Sequence, residues 1–180
     1  ARPINLSAGF ILEEGFPLAD LKRIVESMAA ASRAAGVPVV TGDTKVVEKG
    51  KADGAFITTT GIGVVPEGVE ISADRARPGD VVLVSGTLGD HGVAVMSSRA
   101  GLDFETTVTS DSAALHGLVA DMVAAVPGIR CLRDPTRGGL AATLNEFAQG
   151  SKVGFRIREA EIPVRPAVHA ACEFLGLDPL

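Results

Sequence analysis

Arg133-Asp134-Pro135-Thr136-Arg137-Gly138-Gly139-Leu140 is the stretch on which the reading of this chain turns. It follows a short apolar run, Ile129 to Leu132, and precedes Ala141 to Phe147, which has the spacing of a helix. A strand, a turn carrying charge and a hydroxyl, then two glycines opening a helix make an anion-binding arrangement. The glycines let backbone N–H groups approach an oxyanion, and the helix N-terminus adds partial positive charge. Asp134 sharpens the reading, because a carboxylate beside a phosphate needs a divalent cation, a proton or a sugar hydroxyl between them. A capped loop, with Asp134 or Thr136 merely satisfying free N–H groups, is the plain alternative.

Outward from that turn the chain alternates strand and helix. Ile4–Ile11 reads as a strand, and Glu13-Glu14-Gly15-Phe16 as a loop. Pro17 then sits at a first helical position, followed by Leu18, Leu21, Ile24, Val25 and Met28 at helical spacing up to Gly36. Val37–Val40 is a short strand and the β-branched run Ala55–Val65 a longer one. The polar stretch Ser72–Gly79 marks a linker. Beyond it the order is a strand at 80–86, helices at 91–100 and 112–125, strands at 129–132 and 153–157, and helices after Gly139 and over 166–175. Two domains follow, residues 1–75 and 76–180, in an α+β/α/β arrangement.

Of the 180 residues, 46% are hydrophobic and 22% charged, enough for a packed core. A net charge of −5 argues against a nucleic-acid binder, which needs a clustered basic surface, though not against a nucleotide. No run is long and apolar enough to span a membrane, and a cytoplasmic location is expected. Cys131 and Cys172, far apart and without metal-ligand spacing, are expected to be buried thiols. The abrupt start at Ala1-Arg2-Pro3 and the turn-like Gly176-Leu177-Asp178-Pro179-Leu180 suggest an internal piece lacking both ends, and such a piece is expected to be inactive alone.

Two further loops carry candidate chemistry. Thr41-Gly42-Asp43-Thr44-Lys45 follows the Val37–Val40 strand, so Asp43 is expected at a sheet rim, where one carboxylate suits Mg²⁺ shared with phosphate. Lys45, two residues on, projects from the same face in an extended chain and could neutralise phosphate or exchange a proton. An ordinary Asp–Lys pair in a solvated turn is the alternative. Ser85-Gly86-Thr87-Leu88-Gly89-Asp90-His91-Gly92 also links strand to helix, without a GxxxxGK[ST] or GxGxxG pattern. There Asp90 is either near an anionic ligand or simply an N-cap.

Taken together, LSAGFILEEGFPLADL (6–21), TGDTKVVEKGKADG (41–54), RPGDVVLVSGTLGDHGVAVM (77–96) and RDPTRGGLAATLNE (133–146) resemble the HypE family of hydrogenase expression/formation proteins. That family lies in the superfamily of aminoimidazole ribonucleotide synthetase, thiamine-monophosphate kinase and selenophosphate synthetase, and the resemblance implies their two-domain fold. It also implies an ATP- and Mg²⁺-dependent carbamoyl dehydratase for [NiFe]-hydrogenase maturation. A carbamoyltransferase, HypF, loads a C-terminal cysteine, ATP activates the thiocarboxamide oxygen, and the resulting S-cyanide passes to a HypC–HypD scaffold. A homodimer is implied as well.

By the same resemblance Asp43 is the metal ligand and Lys45 the catalytic candidate. Asp43, Thr44, Asp90, His91, Asp134, Thr136, Arg137, Gly138 and Gly139 face nucleotide or phosphate. Glu13 and Glu14 receive no role beyond loop structure. The alternatives are an ATP-dependent small-molecule kinase or synthetase of the same superfamily, or a non-catalytic dimerisation module.

Overall fold

The computed structural model describes residues 2–100 and 108–179. By its contacts the chain divides into two units, residues 1–69 with 114–125, and residues 70–113 with 126–180. The sequence placed a single break at 75/76. By contacts the stretch from Glu70 groups with the second unit, where Ser151 Oγ accepts the Ala76 N–H and donates to the Ala73 carbonyl.

The first unit is built on a three-stranded mixed sheet, with β1 (Arg2–Glu13) between β2 (Val39–Val47) and β3 (Ala55–Val64). β1 and β2 run parallel, joined through α1 (Leu18–Ala35), whereas β1 and β3 are antiparallel. Pro17 stands just before α1 in extended backbone. Gly36 ends the helix at φ 65°, its N–H reaching the Arg33 and Ser32 carbonyls. Leu21, Ile24 and Met28 are half-buried along one stripe of α1, while Ala8 and Leu12 of β1 are buried on one sheet face.

β2 departs from expectation. It does not stop at Val40 but continues through Gly42 and Asp43 to Val47, so the expected site loop is itself strand. The β-branched residues on both sides of Gly42-Asp43 outweigh the turn preference of that pair. Gly42 is required by close approach, since a Cβ there would lie 2.1 Å from the Ala8 carbonyl oxygen. Just before it the register shifts, Leu6 pairing with Val39 but Ser7 with Thr41.

The second unit contains α2 (Asp90–Ala100), α4 (Gly139–Ser151), a 3₁₀ turn (Glu159–Glu161) and α5 (Pro166–Leu175), while α3 (His116–Ala125) falls in the first unit. Val93 of α2 packs with Val168, Ala171 and Cys172 of α5, and Val108 and Val164 lean on that cluster. Gly89, at φ 85°, lets the chain pass Val168, whose Cγ1 a Cβ would meet at 2.8 Å. The strands expected at 80–86, 129–132 and 153–157 are not formed among the described residues. A strand persists only within a ladder, and among the described residues no second strand offers an edge there; Val81 and Leu83 are 83% and 81% exposed.

Cys172 is buried, and burial followed by the charge of Asp178 pushes its thiol pKa up. Cys131 corrects the expectation of a buried thiol. It is half-buried, its Sγ–H donating to the Ser72 carbonyl at 3.1 Å.

Candidate functional site

The first group of expected residues lies on β2. Asp43 pairs with Gly9, Thr44 with Phe10 and Lys45 with Ile11. Because side chains alternate along a strand, Asp43 and Lys45 share the face that also carries Ser7, Gly9 and Ile11. That is the face opposite buried Ala8 and Leu12. On the β3 side the same rows hold Thr58 beside Gly9 and Phe56 beside Ile11.

Thr44 therefore projects from the other face, away from its two neighbours. Its N–H is held by Asp43 Oδ1 at 2.8 Å. This bond occupies one carboxylate oxygen, and Oδ2 makes no hydrogen bond among the described residues. Lys45 forms no salt bridge among the described residues and is exposed. The result is an open sheet face with a carboxylate and an ammonium in adjacent rows.

The second group lies at the start of α2. Asp90 is 1% exposed, so its carboxylate turns inward. Thr87 Oγ1 donates to Asp90 Oδ2 at 2.5 Å, and Arg165, preceding α5, forms an ion pair with Oδ1. Arg165 Nε finds no hydrogen-bond acceptor in the described residues. Asp90 thus ties the Gly86–Gly89 loop to the start of α5. His91, by contrast, is exposed, its Nδ1 and Ser110 Oγ sharing a hydrogen bond of 2.9 Å.

The third group opens α4. Gly138 and Gly139 take φ of 71° and 63°, and a Cβ on Gly138 would come 2.6 Å from the Ala142 side chain. Among the described residues no side chain caps this helix, so its first N–H groups stay open to an anion. Asp134, Thr136 and Arg137 are exposed beside it. Arg133 Nη1 donates to both oxygens of Glu146 on α4, at 2.5 and 2.6 Å, which pins the turn to the helix it precedes.

The structure thus brings Asp43 and Lys45 together, gathers Asp134, Thr136, Arg137, Gly138 and Gly139 at one helix start, and encloses Asp90. Sequence reading missed Thr87, Arg165 and Glu146 as partners. Arg165 lies 75 residues beyond Asp90 and nothing local announces it. Thr87, three residues before a helix-opening Asp, is the one partner that a capping pattern could have suggested. Among the described residues no group of three or more His, Cys, Asp or Glu side chains could hold a metal by itself. Asp43 alone still suits Mg²⁺, which takes one or two protein carboxylates and completes its shell with phosphate oxygens and water.

Comparisons with known proteins also divide the chain in two, with 114–125 in the second part. Residues 1–65 match the N-terminal domain of AIR synthase related proteins and residues 77–180 their C-terminal domain. Over all 180 residues the chain is 72% identical to carbamoyl dehydratase HypE of Azotobacter vinelandii, covering 53% of that relative. It spans about half the length of the curated relatives it matches. A crystal structure of hydrogenase maturation protein HypE in complex with ATP superposes on the whole chain with a TM-score of 0.97 at 54% identity, the chain covering 54% of it. HypE in a HypE–HypF complex gives 0.95 at 54% identity, with 59% of that chain covered. Thiamine monophosphate kinase from Aquifex aeolicus, at 20% identity and a TM-score of 0.72 over 99% of this chain and 59% of its own, shares the fold alone. The chain belongs to the AIR synthase related protein family, and within it is similar to HypE.

Proposed function

We propose that the protein to which this chain belongs is an ATP-dependent carbamoyl dehydratase. It converts a carbamoylated cysteine at its own C-terminus to an S-cyanide that becomes a cyanide ligand of [NiFe]-hydrogenase. The observation that carries this reading is the 72% identity, over every residue of the chain, to a relative named carbamoyl dehydratase. ATP and a HypF-type carbamoyltransferase are the proposed cosubstrate and partner, since HypE structures with ATP and with HypF superpose on the chain. A HypC–HypD scaffold is the proposed acceptor of the product.

The chemistry asks for few groups. The thiocarboxamide oxygen attacks the γ-phosphoryl group of ATP, ADP leaves, and the nitrogen gives up one proton. The S-carbon then carries a phosphate ester and a C=N bond. Loss of the second nitrogen proton expels phosphate and leaves the S-cyanide, so the tail loses one water overall. Positioning and charge stabilisation do most of this work.

Asp43 would hold Mg²⁺ through its free oxygen, and the bound ion would neutralise charge on the phosphoryl groups. Lys45, one row along the same face, would stabilise charge at the thiocarboxamide as an ammonium, or take a nitrogen proton as a neutral amine. Arg137, with the open N–H groups of Gly138 and Gly139, would take phosphate oxygens. The test uses full-length protein carbamoylated by its transferase and then given ATP and Mg²⁺. A tail lighter by one water, formed only with hydrolysable ATP, is the expected result. Phosphorylation of an added small molecule, with no change in the tail, would favour a kinase of the same fold.

A further inference from the structure

Three strands end around Glu13. Its N–H donates to the Gly54 carbonyl at 2.8 Å, and the N–H of Glu14 donates to the Val47 carbonyl, also at 2.8 Å. The Glu13 carboxylate then reaches the loop between β2 and β3. Oε2 accepts the Gly54 N–H at 3.1 Å, and Oε1 accepts the Gly50 N–H. Both glycines have positive φ, 80° and 73°, a backbone that L side chains rarely adopt and that turns their N–H groups inward. Glu48, Lys49, Lys51 and Asp53 are otherwise exposed along this loop. Among the described residues, Glu13 supplies the side-chain hydrogen bonds that hold it.

The register ties this clamp to the site. Glu13 stands opposite Val47 and Ile11 opposite Lys45, so Glu13 and Lys45 share one sheet face, one row apart. Among the described residues β2 is an edge strand, bonded only to β1, and runs directly into the clamped loop. We infer that Glu13 is a positioning residue: by clamping loop 48–54 it holds the end of β2, and with it the Lys45 side chain, where the tail chemistry needs it. The inference rests on the function proposed above and adds to it a residue that touches no substrate.

Full-length Glu13→Gln and Glu13→Ala proteins, alone and combined with Lys45→Ala, test it. Gln keeps one acceptor oxygen and Ala none, so amide exchange at Gly50 and Gly54 should quicken in that order. Single-turnover dehydration of the carbamoylated tail should slow in the same order, to about a tenth of the wild-type rate for Ala, with ATP affinity within about twofold. On the Lys45→Ala background the Glu13 substitutions should slow the step no further, because their effect passes through Lys45. Faster exchange with wild-type dehydration would overturn the inference, and so would full additivity with Lys45→Ala. If Glu13→Ala fails to fold, Glu13→Gln against wild type makes the same decision. A wild-type protein that never forms the S-cyanide would sink the function as well as the inference. Slow Lys45→Ala beside normal Glu13 variants would sink the inference alone.

Discussion

Replacing Asp90 by Asn separates a structural carboxylate from a ligand. The side chain is 1% exposed, meets the Arg165 guanidinium through one oxygen and accepts from Thr87 through the other. Asn keeps the shape and an oxygen for Thr87, but it turns an N–H₂ donor toward a guanidinium that has only donors. Breaking a buried ion pair from one side costs about 3–5 kcal/mol. Arg165 is 42% exposed and can turn toward water, so the loss should fall below that range, at about 2 kcal/mol. In a protein of about 150–250 residues that lowers the melting temperature by roughly 4–8 °C, and in a longer one by less.

The assay is a thermal melt of full-length Asp90→Asn, Arg165→Ala and the double variant, with ATP affinity measured on each. A lower melting temperature, a double variant no worse than the worse single one, and ATP affinity within about threefold of wild type are expected. An unchanged melt with ATP affinity down by about tenfold or more would refute the reasoning and make Asp90 a nucleotide ligand.

Asp43→Asn keeps the hydrogen bond to the Thr44 N–H but removes the charge that the proposed Mg²⁺ site would use, so titration calorimetry should show Mg²⁺-dependent ATP binding weakened by about tenfold. Equal affinity would leave Asp43 a strand residue. Ile4, Phe56, Ile62 and Val64 are exposed on the sheet, and apolar strands are usually covered, so the full-length protein should sediment as a homodimer at micromolar concentration. A strict monomer would count against that. The Gly50 and then the Gly54 N–H hold the Glu13 pKa below its ordinary value near 4.5. A lowered carboxylate pKa stabilises the fold above that ordinary value and ceases to do so as pH falls through the folded value. Amide exchange in loop 48–54, corrected for its intrinsic pH dependence, should therefore accelerate only as pH falls below that ordinary value and stay flat from about 5 to 8.

Much of the fold was legible because its signals are local. Pro17 and Gly36 bracket α1, Pro166 and Gly176 bracket α5, and the β-branched run Ala55–Val64 reads as a strand from its own composition. What was misread depends on distant parts of the chain. Gly42-Asp43 looks like a turn until the close pass of Ala8 explains the glycine, and the site loop becomes a strand. The runs 80–86, 129–132 and 153–157 have strand composition but no ladder among the described residues, and composition alone cannot supply a partner edge.

The candidate site shows the same split. The Asp43–Lys45 spacing was readable because alternation puts both on one face once the segment is extended. That same alternation sends Thr44 to the other face. The bonds of Asp90 with Arg165 and of Glu13 with Gly50 and Gly54 span 75 and about 40 residues, and no local pattern encodes them.

Lys45→Ala in the full-length, carbamoylated protein is the most direct test of an open sheet face on which Asp43 serves the nucleotide and Lys45 the nitrile-forming step. ATP affinity is measured beside the single-turnover loss of one water from the tail. The expected result is ATP binding within about twofold of wild type and dehydration slowed by about a hundredfold, the span that a positioned acid–base group commonly supplies. Dehydration at the wild-type rate would contradict the assignment of Lys45 and place the proton acceptor elsewhere in the protein.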